Sequence, residues 1–125
     1  MFRRTITLTD SAPVTIVDDE WPIIASATEY DPYGDEDEYD TAGPSPTEWW
    51  MKIRQHKDGR AIVYAGYDAV RRGVLLPAGS DNSAIVVVVR AMAQDIVGAG
   101  NNYNAGIWSE LAAKCIANMP AEVLA

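Results

Sequence analysis

Polar and apolar residues alternate in two short segments near the beginning of the chain, at residues 5–9 and 14–17. An alternation with a period of two is typical of a β-strand that buries one face. The intervening residues 10–13 include Asp, Ser and Pro, which favour turns. The pattern therefore predicts a first β-hairpin.

A second hairpin is predicted where Asp58-Gly59 separates two strand-like segments, residues 49–57 and 60–68. Asp-Gly favours a two-residue type I′ turn, because glycine adopts a positive φ without strain. A two-residue turn fixes the register, so that Lys57 faces Arg60. Counting outward gives the remaining predicted pairs: Ile53 with Tyr64, Met51 with Gly66, Arg54 with Val63, and Trp50 with Tyr67.

The two faces of this second hairpin differ in chemistry. The apolar face is predicted to lie against the core and carries Trp49, Met51, Ile53, Ile62 and Tyr64. The opposite face is predicted to be a basic and aromatic surface and carries Trp50, Lys52, Arg54, His56, Ala61, Val63 and Tyr67.

Between the hairpins, the sequence predicts a short helix and then a long acidic loop. Asp18 and Asp19 are suitable N-caps for a helix at residues 20–27, and Pro22 is tolerated in its first turn. Residues 29–47 contain acids, tyrosines, glycine and prolines without apolar periodicity. Loops of this length are uncommon in compact domains and are usually functional or disordered. Function is therefore expected in this segment.

A first long helix is predicted at residues 82–97, with Ser80 or Asp81 as its cap and Gly98 as its stop. The β-branched run within residues 84–89 leaves a strand as the alternative. The helix is preferred because the apolar spacing continues beyond this run. Its predicted buried stripe consists of Ile85, Val88, Val89, Met92 and Ile96.

A last helix is predicted at residues 104–118, ended by Pro120, with Ile107, Leu111, Cys115 and Met119 on one face. Together the elements predict one α+β domain over residues 1–125. In it, two β-hairpins form an antiparallel sheet of about four strands, and the two C-terminal helices pack on one face of that sheet.

Length and composition agree with a single globular domain. The chain has 125 residues, of which 48% are hydrophobic and 22% charged, and such a domain can bury a core without disulfides. The longest apolar stretch, residues 84–89, is far shorter than the roughly 20 residues that cross a bilayer, and residues 1–9 contain no apolar leader region. We therefore expect a cytoplasmic protein without a membrane partner.

The charge is distributed very unevenly. Net charge is −8, and residues 5–51 contain twelve acids and no Lys or Arg. Residues 52–72 form a basic block with six bases and two acids. The basic block has a net charge of +4, so eight of the twelve negative charges in residues 5–51 would remain even if all four of these positive charges were paired with them. Such asymmetry favours electrostatic interaction with a partner.

Catalytic and metal sites are not indicated by the residue types present. His56 is the only histidine, which excludes a His-pair metal site and a relay between two imidazoles, and we expect it to be a solvated residue at the hairpin end. Cys115 lies on an apolar stripe and is expected to be a buried structural thiol. We therefore predict a protein that is not an enzyme and that holds no cofactor or metal.

In size, base-free acidic half and the acidic run at residues 35–40, the chain resembles the small anti-defence proteins of phages and mobile elements, including anti-CRISPR and anti-restriction DNA mimics. The resemblance implies an inhibitor in a bacterial cytoplasm that occupies the basic nucleic-acid site of a nuclease or CRISPR complex, without binding nucleic acid itself. The basic block departs from a uniformly acidic mimic. The implied partner-binding residues are Asp18, Asp19, Glu20, Glu29, Tyr30, Asp31, Tyr33, Asp35, Glu36, Asp37, Glu38, Tyr39 and Asp40.

Three other interpretations stay open. The acidic segment can serve solubility alone, or fold back on the basic residues of the second hairpin. Alternatively, the chain is a nucleic-acid-binding module that uses the basic and aromatic hairpin face, although the net charge opposes this. That face would then act through Trp50, Lys52, Arg54, Arg60, Tyr67, Arg71 and Arg72.

Overall fold

A computed structural model describes residues 2–30, 48–67, 70–98 and 105–122. Within these ranges the chain forms an α+β fold of six strands, one short 3₁₀ helix and two α-helices. In chain order these are β1 (Arg3–Ile6), β2 (Val14–Val17), the 3₁₀ helix (Asp18–Glu20), β3 (Ile23–Tyr30), β4 (Glu48–Gln55), β5 (Ala61–Tyr67), β6 (Val70–Leu76), α1 (Asn82–Gly98) and α2 (Ala105–Ala117).

The centre of the fold is a four-stranded antiparallel sheet in the order β3-β4-β5-β6. Both α-helices pack on one face of this sheet, and the buried apolar residues of the sheet and the helices form one continuous core. Its largest fully buried side chains include Trp49, Trp108, Met51, Ile53 and Leu111. The predicted packing of the helices on one face is confirmed.

The opposite face of the sheet is covered by the β1–β2 hairpin, which forms a separate two-stranded sheet. Ile6 and Ile16 of this hairpin pack with Trp21 against Ile62 and Tyr64 of β5 and make a second core. The prediction that the two hairpins join in one sheet is wrong. The described chain therefore has three layers, with β5 buried on both sides.

The predicted helix at residues 20–27 is also wrong, because this stretch enters β3. Ala25 and Ala27 alternate with more exposed neighbours and point into the helix-side core. Every second residue in this part of the segment is therefore buried, as is typical of a strand. Only the three acidic residues before Trp21 become helical, as the 3₁₀ helix. The carbonyl of Pro22 accepts the backbone N–H of Gln55 at 3.1 Å, which brings this segment alongside β4.

The β4–β5 hairpin exists as predicted, but its register is shifted by one residue. The N–H of His56 donates to the carbonyl of Arg60 at 2.8 Å, and the N–H of Gly59 donates to the carbonyl of His56 at 2.9 Å. The loop thus has three residues, and Gly59 ends it with a φ of 94°, a geometry typical of a type I turn with a bulge. Lys57 does not face Arg60.

This shift exchanges the two faces of β5. Ile53 pairs with Val63 and Met51 with Ala65, so the odd-numbered residues of β5 face the helices. The prediction placed Ile62 and Tyr64 there, but both lie on the hairpin side. The faces of β4 are as predicted, since Trp49, Met51 and Ile53 are in the helix-side core.

Strand β6 was not predicted, because two arginines and a glycine interrupt its apolar pattern. Its Gly73 allows the N-terminal segment to approach closely: a Cβ at this position would lie 2.3 Å from the carbonyl oxygen of Thr7. The Gly73 carbonyl accepts the N–H of Thr9 at 2.9 Å, and its own N–H donates to Thr9 Oγ1 at 3.1 Å. These bonds cover part of the β6 edge and tie the two layers together.

Both long helices are confirmed, and residues 84–89 are helical. Asp81 caps α1, since its Oδ1 accepts the N–H of Ala84 at 2.9 Å. On α2, Leu111 and Cys115 are fully buried as predicted, and Trp108, which the prediction omitted, is equally buried. The predicted loop 29–47 is wrong at its beginning, where β3 continues, and its residues 31–47 lie outside the described residues.

Candidate functional site

Asp18, the first predicted partner-binding residue, is held by two arginines of its own chain. Arg4 donates from Nε and Nη2 to the two carboxylate oxygens, each at 3.2 Å, and Arg54 Nη1 lies 3.6 Å from Oδ1. The hydrogen bonds from Arg4, followed by the positive charges of Arg4 and Arg54, lower the pKa of Asp18. Asp18 is therefore ionised and anchored.

The other predicted residues differ in their surroundings. Asp19 and Glu20 are exposed on the 3₁₀ helix and line a cleft of about 690 Å³ beside His56 and Lys57. Glu29 forms an ion pair with Lys114 of α2. Tyr30 is 59% exposed at the end of β3. The remaining residues lie outside the described part of the chain: Asp31, Tyr33, Asp35, Glu36, Asp37, Glu38, Tyr39 and Asp40.

A basic groove lies on the hairpin side of the sheet, beside the predicted basic face. We call it the Trp50 groove. Its cavity of about 230 Å³ lies between the first residues of the chain and strands β4 to β6. Its lining consists of Arg4, Thr5, Ile6, Thr7, Trp50, Lys52, Tyr64, Ala65, Arg71 and Arg72.

A glycine in the central strand shapes the floor of this groove. Trp50, Gly66 and Arg71 form one row across β4, β5 and β6. A Cβ on Gly66 would lie 2.5 Å from the Trp50 ring and 2.9 Å from Arg71 Nη1. Because Gly66 has no side chain, the Trp50 indole can lie across β5 and reach Arg71 of β6.

The cations in the groove are arranged around the Trp50 ring. Lys52 Nζ lies 5.2 Å and Arg71 Cζ 5.6 Å from the ring centroid, within the range of cation–π attraction. The ring of Tyr64 meets Trp50 edge-on at a centroid distance of 5.4 Å. The groove therefore combines fixed aromatic walls with positive charge.

The residues that the nucleic-acid interpretation assigns to one face do not all lie together in the structure. Trp50, Lys52 and Arg71 share the groove. Arg54 is instead buried, and its Nε donates to Tyr64 Oη at 2.8 Å. Of the other three, Arg72 also lines the groove and has its Nε 3.6 Å from Asp95, whereas Tyr67 stacks on the core residue Trp49 at 4.4 Å and Arg60 binds Asp58 at the hairpin tip. The basic surface on the hairpin side therefore contains fewer residues than predicted.

His56 and Cys115 take packed positions. The His56 side chain is only 13% exposed and lies 5.2 Å from the Trp21 ring, so the expectation of a solvated residue is wrong. Its Nδ1 accepts the backbone N–H of Asp58 at 3.1 Å, which orients the ring. Burial raises the pKa of the Cys115 thiol to about 11, which keeps it protonated at neutral pH.

The N-terminal contribution to the groove was missed at the sequence level. Arg4 and the residues next to it reach the groove only because β1 packs over the sheet, and no local pattern indicates this. Within the described residues, no cluster of three or more His, Cys, Asp or Glu side chains could hold a metal ion, and no helix is long and apolar enough to cross a membrane.

Comparison with protein-family models, with curated proteins and with solved structures finds no match to this chain.

Proposed function

We propose that this protein is a non-enzymatic inhibitor that binds a basic surface of another protein through its acidic residues. The target class that fits best is a bacterial nuclease or CRISPR complex whose nucleic-acid site is positively charged. The observation that carries the proposal is the run of twelve acids without one Lys or Arg in residues 5–51. Carboxylates placed in this density attract the same cationic sites that neutralise phosphates.

The surroundings of the described acids support this proposal for some residues more than for others. Asp19 and Glu20 are exposed on a 3₁₀ helix whose first residue, Asp18, is anchored by two arginines. Their backbone is therefore held in place, which reduces the entropy lost on binding. Asp18 and Glu29 already have cationic partners, so their attraction for a second protein is weaker.

Tyr30 adds an apolar element to the acidic surface. It is exposed at the end of β3, where the chain enters the acidic segment. Tyrosine is favoured in interfaces because it buries a large area at a small entropic cost. We therefore expect Tyr30 to anchor a contact that the carboxylates steer.

The proposal is tested by neutralising acids in two places. One variant changes Asp35, Glu36, Asp37 and Glu38 to Asn or Gln, and a second changes Asp19 and Glu20 in the same way. Control variants neutralise equal numbers of acids outside residues 5–51: Asp68, Asp95, Glu110 and Glu122 for the first, and Glu110 with Glu122 for the second. Matched numbers separate the position of the charges from the net charge.

The measurement has two stages. Each variant is used to capture proteins from a bacterial lysate at low and at high salt, and the captured proteins are identified by mass spectrometry. Captured nucleases or CRISPR complexes are then purified and assayed for DNA cleavage with and without each variant. We expect the wild type and the controls to bind and inhibit at low salt, and the acid-neutralised variants to do neither. Equal binding by a correctly folded quadruple variant would contradict the proposal.

A further inference from the structure

We propose that the Trp50 groove is a binding site for a phosphate group. This inference is independent of the acid-directed function, because the groove and the acidic residues use different side chains. The groove joins cations from three elements: Arg4 from β1, Lys52 from β4, and Arg71 and Arg72 from β6. Their convergence exists only in the folded chain.

The local charge of this region is opposite to that of the whole protein. Five cations lie in or directly beneath the groove, namely Arg4, Lys52, Arg54, Arg71 and Arg72; Asp18 contacts Arg4 and Arg54, and Asp95 lies 3.6 Å from Arg72 Nε. Among the described residues, none that lines the groove is acidic. A positive cavity within a chain of net charge −8 attracts an anion at short range, while the remaining surface repels large polyanions.

Lys52 is the side chain best placed to bind the anion. No carboxylate of the described residues lies within ion-pair distance of its ammonium group, which instead lies over the Trp50 ring. A cation–π contact orients an ammonium group without using up its N–H donors, since the ring provides no lone pair. Lys52 can therefore donate to an oxyanion in the groove.

The geometry favours a phosphate group over a stacked base. The Trp50 ring packs on Gly66, and two cations and Tyr64 lie around it, so the indole is not a free stacking platform. The cavity of about 230 Å³ is smaller than the roughly 300–1,000 Å³ of pockets that enclose a drug-sized ligand. Lysine and arginine are the side chains that bind phosphate oxygens in proteins. The phosphate can come from free phosphate, a nucleotide or a nucleic-acid strand.

The test is an NMR titration of the full-length protein that follows the indole N–H of Trp50. The probes are inorganic phosphate, a nucleoside monophosphate and a short single-stranded oligonucleotide, each compared with chloride at the same ionic strength. We expect a saturable shift of the Trp50 resonance with a phosphate probe and none with chloride. Lys52→Gln should weaken binding about tenfold, the effect of losing one charge-assisted hydrogen bond.

Two further variants make the result specific. Lys57→Gln removes the same charge from an exposed residue at the hairpin tip and should bind like the wild type, whereas Lys52→Arg should retain binding. Tighter binding of the oligonucleotide than of the mononucleotide would identify a strand as the source of the phosphate, and equal binding would identify a small molecule. Identical responses to phosphate and chloride, or equal losses in Lys52→Gln and Lys57→Gln, would overturn the proposal.

Discussion

At the scale of single residues, Arg54 of β4 links the four-stranded sheet to residues 18–21, the segment that follows the β1–β2 hairpin. It is a buried charged side chain, 5% exposed. Its Nε donates to Tyr64 Oη at 2.8 Å, and its Nη1 donates to the carbonyl of Trp21 at 2.9 Å. A buried guanidinium is tolerated when its donors are satisfied and an acid lies nearby, and Asp18 provides that acid.

Replacing Arg54 with Ala should therefore destabilise the fold strongly. The change leaves Tyr64 Oη and the Trp21 carbonyl without their donor and Asp18 without one of its two cations. We expect a loss of about 2–4 kcal/mol in the free energy of unfolding, measured by urea denaturation. The control Lys57→Ala, at an exposed position, should change it by less than about 0.5 kcal/mol. A similarly small effect of Arg54→Ala would show that these bonds contribute little.

The lowered pKa of Asp18 predicts a pH dependence of stability. Because Arg4 first and Arg54 second favour the ionised carboxyl in the folded state, its contribution is fully present above the unfolded pKa of about 3.9. That contribution is lost as the pH falls through the lower pKa of the folded protein. The stability difference between the wild type and Asp18→Asn should thus be constant at neutral pH and shrink below about pH 4. Urea denaturation across this range tests it, and a difference that persists at the lowest pH would exclude the mechanism.

At the scale of elements, the turn between β4 and β5 decides which side chains reach each core. The three-residue loop that ends at Gly59 sets the register, and the register assigns Val63 to the helices and Ile62 to the hairpin. A one-residue change in a turn exchanges the faces of a whole strand. Asp-Gly is compatible with both loop lengths, so the sequence predicted the hairpin correctly and its register incorrectly.

Two glycines with positive φ allow this turn to be tested. Gly59 has a φ of 94° and Gly79 a φ of 79°. A Cβ at Gly59 would lie 2.4 Å from the backbone nitrogen of Gly79, whereas a Cβ at Gly79 would have no described neighbour within 4 Å. Gly79→Ala should cost about 1–2 kcal/mol from backbone strain alone, and Gly59→Ala at least about 1 kcal/mol more from the clash. Equal losses in urea denaturation would show that the close approach of the two backbones is unimportant.

At the scale of the whole molecule, β5 joins the two cores into one cooperative unit. Its residues alternate between the helix-side core and the hairpin-side core, and six of its seven residues are buried. Neither core can lose its packing without exposing one face of this strand. We therefore expect the β1–β2 hairpin and the helices to unfold together.

Ile16→Ala tests this cooperativity from the layer that lies farthest from the helices. Ile16 is 4% exposed in the hairpin-side core, and its truncation should cost about 2–5 kcal/mol. Hydrogen exchange should show an equal loss of protection in β5 and in α2, because both exchange by global unfolding. Protection of α2 that stays at the wild-type level while the hairpin opens would show that the layers unfold separately.

The sequence by itself determined the α+β class, the first and second hairpins, both long helices and the buried stripe of α1, because these follow from local periodicity, caps and turns. Tertiary structure decided the rest. Ile23–Tyr30 forms a strand because it pairs with β4. Val70–Leu76 forms a strand, despite its two arginines and its glycine, because it pairs with β5. Arg4 and Lys52 line the same groove because the β1–β2 hairpin packs over the sheet. Pairing and burial of this kind depend on residues far apart in the chain, and local patterns carry no information about them.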